Sequence, residues 1–331
     1  MTRDLLEQVV ARQALKPPVA YSEMADVHVD LDDVGAEGGP FETRLTQASR
    51  SGEACVVVLG PIGSGKSSLI AAVAARVEPD RFPIRVRSLG DSTVLDREVF
   101  ARHLAEEALD GLERGERSPA IRQATRLRGK VAEERRREAG GHSVGRGGTR
   151  LRSAIETIVK QSQPSTFLSA VEEIVDEITA AGRTPLVVLE DTDSFAPPRD
   201  QKGATERAER FVHEVVPYLA REVRCPSLVA VHERYHPLLE GSPAEQVAVP
   251  RWVDSTVFLS RVLERYGSRC GLSFTAGQIV EPGAFELFVA TLDAHGNVRD
   301  TLRSIAAAAE KTVAEQPEAE RISAQAAQSC L

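Results

Sequence analysis

Residues 60–67 read Gly-Pro-Ile-Gly-Ser-Gly-Lys-Ser and fit the pattern G-x-x-x-x-G-K-[ST] at every position. Glycines in such a run let the backbone wrap closely around a polyphosphate and aim N–H groups at it. The apolar run ACVVVLG (54–60) precedes the motif, and the helical pattern SSLIAAVAARV follows it. That context puts the phosphates at a helix N-terminus, whose partial positive charge favours anions. The candidate cradle is Gly60, Pro61, Ile62, Gly63, Ser64, Gly65, Lys66, Ser67 and Ser68. Lys66 would reach the β- and γ-phosphates, and the Ser67 hydroxyl would complete a Mg2+ shell. A plain Gly-rich turn between strand and helix would not require Lys and then Ser at these positions.

Hydrolysis at such a site needs an acidic group at the end of a neighbouring strand, to hold the metal shell and polarise water. PLVVLEDTD (185–193) has that form: four apolar residues, then Glu190 and Asp191, with Asp193 two further on. Ser67 and Glu190 are therefore the candidate Mg2+ residues, and Asp191 the candidate for orienting water.

A second chemistry is written into HERYH (232–236), which fits H-E-x-x-H. On a continuous helix that spacing puts two imidazoles on one face to hold zinc, with the glutamate as general base of a protease. The surroundings do not favour a zinc helix. His232 ends the apolar run PSLVAVH, Pro237 directly follows His236, and Glu240 is the one weak candidate for a third ligand. A zinc metalloprotease remains a remote alternative, beside plain structural histidines.

These groups must be positioned by alternating strands and helices. Continuous apolar runs are expected to form strands at 54–60, 82–89 (FPIRVRSL), 185–189 and 226–232, covered on both faces as in a parallel sheet. A fifth strand is expected in VAV (247–249) or STVFL (255–259). Helices are expected at the opening of the chain, at FETRLTQASRS, from about Asp96 to Leu112, across STFLSAVEEIVDEITAAG and through RAERFVHEVVPYLAREV. Val99, Phe100, Leu104 and Leu109 should share a face in the third of these, and Pro217 should kink the last. From about Ser260 the pattern is helical throughout. The implied class is α/β, a P-loop NTPase with a mainly parallel sheet flanked by helices and a small C-terminal helical lid.

Composition sets limits. The 331 residues carry a formal net charge of −8, so nothing in the global charge attracts nucleic acid or an anionic membrane. No run approaches the roughly 20 apolar residues of a membrane span, and the N-terminus lacks the apolar core of a signal peptide. The four cysteines form no C-x-x-C pair. A cytoplasmic location is the expectation. Arginine outnumbers lysine 35 to 6, a bias associated with GC-rich bacterial genomes. Within 110–152 there are twelve Arg/Lys against six Asp/Glu, a local +6 that ends in the Gly-rich AGGHSVGRGGTR, where a loop is expected.

In order, GPIGSGKSS, FPIRVRSL, VVLEDTD, SLVAVH and HGNVRDTLRSIAAAAEKTVAE resemble the successive parts of an AAA+ ATPase. The likeness is strongest to the branch holding origin-recognition initiators, bacterial transposition ATPase subunits and related signalling NTPases. It covers about residues 40–331. An ABC-type ATPase is excluded, since no L-S-G-G-Q lies between Ser67 and Glu190. The resemblance implies ATP and Mg2+ as ligands, a homo-oligomer, His232 as the sensor residue beside the γ-phosphate, and Arg299 as the lid cation that reaches it. Glu190-Asp191 reverses the acidic order usual in such ATPases, which puts the hydrolysis rate in question. An arginine finger from a neighbouring subunit would come from Arg251, Arg234 or Arg224. The expected organisation is an N-terminal extension (1–40), the nucleotide-binding domain (41–260) with a basic insert (111–152), and the lid (261–331). No output domain is expected beyond the lid; action through an unknown protein partner is expected, or on duplex DNA through the insert. No membrane partner is expected.

Overall fold

A computed structural model describes residues 2–18, 21–35, 39–51, 54–78, 81–86, 96–117, 147–162, 167–190 and 201–331. Asp191, Asp193, residues 87–89 and most of the basic insert lie outside the described residues.

Among these residues a five-stranded parallel sheet has the order β2-β3-β4-β1-β5. The strands are β1 (Cys55–Gly60), β2 (Arg81–Val86), β3 (Thr184–Leu189), β4 (Ser227–His232) and β5 (Glu245–Ala248). β1, which leads into the phosphate-loop sequence, lies between β4 and β5, and β4 separates it from β3. The fifth strand is therefore the 247–249 alternative, begun two residues earlier. STVFL is instead the first turns of a helix, because Asp254 accepts hydrogen bonds from Thr256 N and Val257 N and caps it.

Side chains alternate between the two faces of each strand. One face carries Val56, Val58, Leu186, Val188, Leu228 and Ala230. It packs on α4 (Lys66–Val77) together with the N-terminal and C-terminal helices. The N-terminal part supplies α1 (Thr2–Ala11), α2 (Tyr21–Asp26) and α3 (Phe41–Ser51). The other face carries Val57, Leu59, Ile84, Val187, Leu189 and Val229. It packs on α5 (Arg97–Arg117), α6 (Gly147–Gln161) and α7 (Phe167–Ala180), and on α8 (Gln201–Arg210) with α9 (Val216–Arg221). The result is a three-layer α/β/α arrangement.

Three local expectations are corrected. Val99 is 37% exposed, and the buried face of α5 is Phe100, Ala101, Leu104, Ala105 and Ala108. Helix α6 begins at Gly147, inside the stretch read as a Gly-rich loop. Leu151 and Ile155 are buried where α6 packs on α5 and α7, and that tertiary contact outweighs the poor helix propensity of glycine. Helix α5 likewise runs to Arg117, past the expected start of the insert. Pro217 interrupts its helix as anticipated, in a particular way. A π-turn at Phe211–Val215 precedes it, with the Val216 N–H donating five residues back to the Phe211 carbonyl.

The C-terminal helices are α10 (Ser255–Arg269), α11 (Ala276–Ile279), α12 (Pro282–His295), α13 (Val298–Glu315) and α14 (Ala324–Gln328). The N-terminal segment joins them to the sheet layer. Arg3 donates to the carbonyls of Val313 in the last turn of α13 and of Gln316 and Ala319 just beyond it, at 2.9, 2.8 and 3.0 Å. Further along the segment, Asp30 pairs with Arg76 of α4 at 2.8 Å. Glu42, fully buried at the start of α3, accepts from the Leu31 N–H at 2.7 Å and contacts His28 Nε2 at 2.6 Å. Arg76 Nη1 lies 2.8 Å from Glu42 Oε2, close enough for an ion pair but off the hydrogen-bond direction.

Candidate nucleotide site

The turn between β1 and α4 carries the whole motif. Gly63 and Gly65 adopt φ of +79° and +91°, the left-handed region that L side chains avoid. Gly65 is the N-cap of α4 and offers no side chain there, so the helix N-terminus is open to an anion. Lys66 is buried, with Nζ donating to the carbonyls of Gly60 and Pro61 at 2.8 and 2.9 Å. The ammonium is thus held along the inside of the loop. Ser64 Oγ is buried and has no hydrogen-bond partner among the described residues.

Ser67 ties this loop to the acidic strand end. Its Oγ donates to the backbone carbonyl of Glu190 at 3.0 Å. Glu190 is 7% exposed. Its Oε1 accepts from Arg85 of β2, while Oε2 is buried without a partner among the described residues. A buried anionic oxygen left unsatisfied is costly, and a metal shell would satisfy it. The donor set therefore fits Mg2+: a hydroxyl at the mouth of a phosphate loop, hydrogen-bonded to the backbone of the residue whose buried carboxylate keeps one oxygen without a partner among the described residues.

His232 lies at the C-terminal end of its strand, β4, and pairs in register with Gly60, the first residue of the loop. Its backbone is extended (φ −67°, ψ 135°), and Nδ1 accepts from the Arg234 N–H at 3.1 Å, capping a 3-10 helix at Glu233–Leu239. This geometry is not that of a zinc helix. His232 precedes the helix, and a 3-10 helix turns residues four apart to different faces. Among the described residues no three His, Cys, Asp or Glu side chains are grouped to hold a metal.

The C-terminal helices also reach the loop. Asn297 caps α13, its Oδ1 accepting from the Asp300 N–H at 3.0 Å. The next amide, Val298 N–H, donates to the Gly63 carbonyl at 3.0 Å. A Cβ on Gly63 would sit 1.9 Å from Asn297 Oδ1, so this position is closed to side chains twice over. Arg299 follows on the first turn of α13 and is exposed. Its charge acts on Tyr266 of α10. Burial pushes that phenol up to about 12, and Arg269 and Arg299 pull it the other way.

Of the finger candidates, Arg251 is exposed beyond β5. Arg234 lies over the Tyr235 ring, 4.5 Å from its centroid. Arg224 is exposed with φ +54°. The sequence reading did not find Arg85. An arginine set between the buried Ile84 and Val86 was the available signal.

A parallel sheet whose first strand runs through a glycine-rich phosphate loop into a helix, with an acidic residue two strands away, defines a P-loop NTPase. The sequence profile of the AAA ATPase domain matches residues 41–231, more than half of the chain, and the chain belongs to that family. None of the curated proteins matches it significantly. Among the described residues no helix is long and apolar enough to cross a membrane.

Proposed function

We propose that the protein is a Mg2+-dependent ATP switch that hydrolyses ATP slowly and acts through a partner. The observation that carries this reading is the convergence on one loop of Ser67 with Glu190, His232 in register with Gly60, and α13 docked on Gly63. In it, the backbone of 60–68 and Lys66 hold the polyphosphate of ATP. Ser67 and Glu190 would hold the metal, which would supply neutralising positive charge for the polyphosphate. Asp191 orients the attacking water, His232 reads the γ-phosphate, and Arg299 reaches it from the C-terminal helices, which act as the lid. Residues 1–40 are the extension, 41–260 the nucleotide-binding domain and 261–331 the lid. Hydrolysis relaxes the closure that ATP maintains between base and lid.

The same reading places the chain in the branch of origin-recognition and transposition ATPases. It assembles ATP-bound copies so that an exposed arginine, Arg251 first, completes the neighbour's site. The local charge of +6 in the basic insert supports duplex DNA as the partner. ATP hydrolysis measured with and without duplex DNA, on the intact chain and on a 113–150 deletion, tests this. DNA stimulation that disappears with the deletion supports it. DNA-indifferent hydrolysis sinks the DNA reading and leaves a protein-directed switch.

A further inference from the structure

The Glu190 carboxylate is divided between two surroundings. Oε1 is taken by Arg85, and Oε2 is buried without a partner among the described residues. Strand alternation explains the meeting. Ile84 and Val86 face the α5–α7 layer, so Arg85 projects to the α4 face. Leu189 also faces the α5–α7 layer, so Glu190 projects to the α4 face with it. The register pairs Arg85 with Val188, which makes Glu190 its diagonal neighbour. A guanidinium only 19% exposed must offset its desolvation with a close anion, and Glu190 supplies one.

We propose that Arg85 is an intramolecular counter-ion of Glu190 that sets how much Mg2+ the nucleotide site requires. This rests on the ATP-site reading above. The guanidinium and a divalent cation draw on the same carboxylate. Arg85 withdraws negative charge from it, and its own positive charge opposes a second cation a few ångströms away, where screening by water is weak. Because Arg85 engages one oxygen and the other has no partner among the described residues, it raises the Mg2+ requirement without blocking the site. Arginine stays charged at every physiological pH, so this restraint is constant. Arg85 is a positioning residue here, acting through Glu190.

The test titrates Mg2+ into the full-length protein with a fluorescent ATP analogue, for wild type, Arg85→Met, Arg85→Lys and Arg85→Met in a Glu190→Gln background. Removing the guanidinium is expected to lower the half-saturating Mg2+ concentration roughly tenfold while metal-free nucleotide affinity stays within about twofold. Arg85→Lys, which keeps charge but loses the planar fork, is expected to lower it by about threefold. With Glu190→Gln present, Arg85→Met should move nothing. The proposal is overturned if the Arg85→Met midpoint equals or exceeds that of wild type, or if its effect persists beside Glu190→Gln. Should Arg85→Met not fold, Arg85→Lys decides: an unchanged midpoint overturns the proposal. If wild type binds no nucleotide at any Mg2+ concentration, the ATP-site reading fails and takes this one with it. If it binds and only the midpoints refuse to move, this inference fails alone.

Discussion

The Val298 amide donates to the Gly63 carbonyl at 3.0 Å, so the last long helix of the chain is hydrogen-bonded directly to the phosphate loop. Asn297 caps that helix and closes over Gly63 from the same side. The position of α13 and the shape of the loop are therefore one structural variable, before any side chain such as Arg299 is considered.

Asn297→Ala removes a helix cap and the wall over Gly63 together. A cap is worth about 1 kcal/mol, so melting should fall by a few degrees. Nucleotide affinity should also fall several-fold, because the loop loses its support. Ser323→Ala is the control. Ser323 caps α14 through the Ala326 N–H at 3.2 Å, far from the loop along the chain. It should lower melting similarly and leave affinity unchanged. Equal affinity losses in both variants would contradict the link between α13 and the loop.

Glu42 should make stability depend on acid. Burial alone would raise its carboxyl, but the His28 hydrogen bond and charge, the Leu31 N–H and Arg76 outweigh that and hold it below the ordinary 4.5. A depressed folded value stabilises above the unfolded value and is lost as pH falls through the folded one. Breaking such a buried pair costs about 3 kcal/mol. Glu42→Gln should therefore melt well below wild type at pH 7, and the gap should narrow progressively below about pH 4.5. A gap that is constant from pH 7 to pH 3.5 would refute the assignment.

Arg3 donates to the Val313 carbonyl in the last turn of α13, where a helix leaves its last acceptors unpaired, and to the Gln316 and Ala319 carbonyls just beyond it. Arg3→Ala should speed amide exchange in the last turns of α13 and in α1, which it ties together, while β1 and β4 stay protected. Hydrogen-exchange mass spectrometry reads this directly. Unchanged exchange in both helices would mean that packing alone holds them.

Much of this was legible in the sequence because the signals were local. Gly60 to Ser67 and the apolar run before them fix strand, turn and helix within twenty residues. The sheet face of α7 was readable from Phe167, Val171, Ile174, Val175 and Ile178, all buried. What failed depended on partners distant in sequence. Gly147 and Gly148 look like loop, and only the burial of Leu151 and Ile155 makes that stretch helical. Arg85 acquires meaning from Glu190, 105 positions away, through a register no single strand reveals. Asn297 lies in HGNVRDTLRSIAAAAEKTVAE, which resembles the lid helices, but its contact with Gly63 needed the fold. The letters of HERYH show the opposite case, where the surrounding sequence already disfavoured the motif and the fold agrees. A spacing rule for α-helices was met by a strand end followed by a 3-10 turn.

The most direct test is binding of ATP to the purified full-length protein by calorimetry, with Mg2+ and with chelator, for wild type and Lys66→Ala. Wild type should bind one ATP per chain, more tightly with Mg2+. Lys66→Ala, deprived of the ammonium held against Gly60 and Pro61, should lose at least about a hundredfold in affinity, as expected for a buried charge opposite phosphate. Binding by Lys66→Ala equal to wild type, or no binding by wild type, would contradict the assignment of this loop as an ATP site.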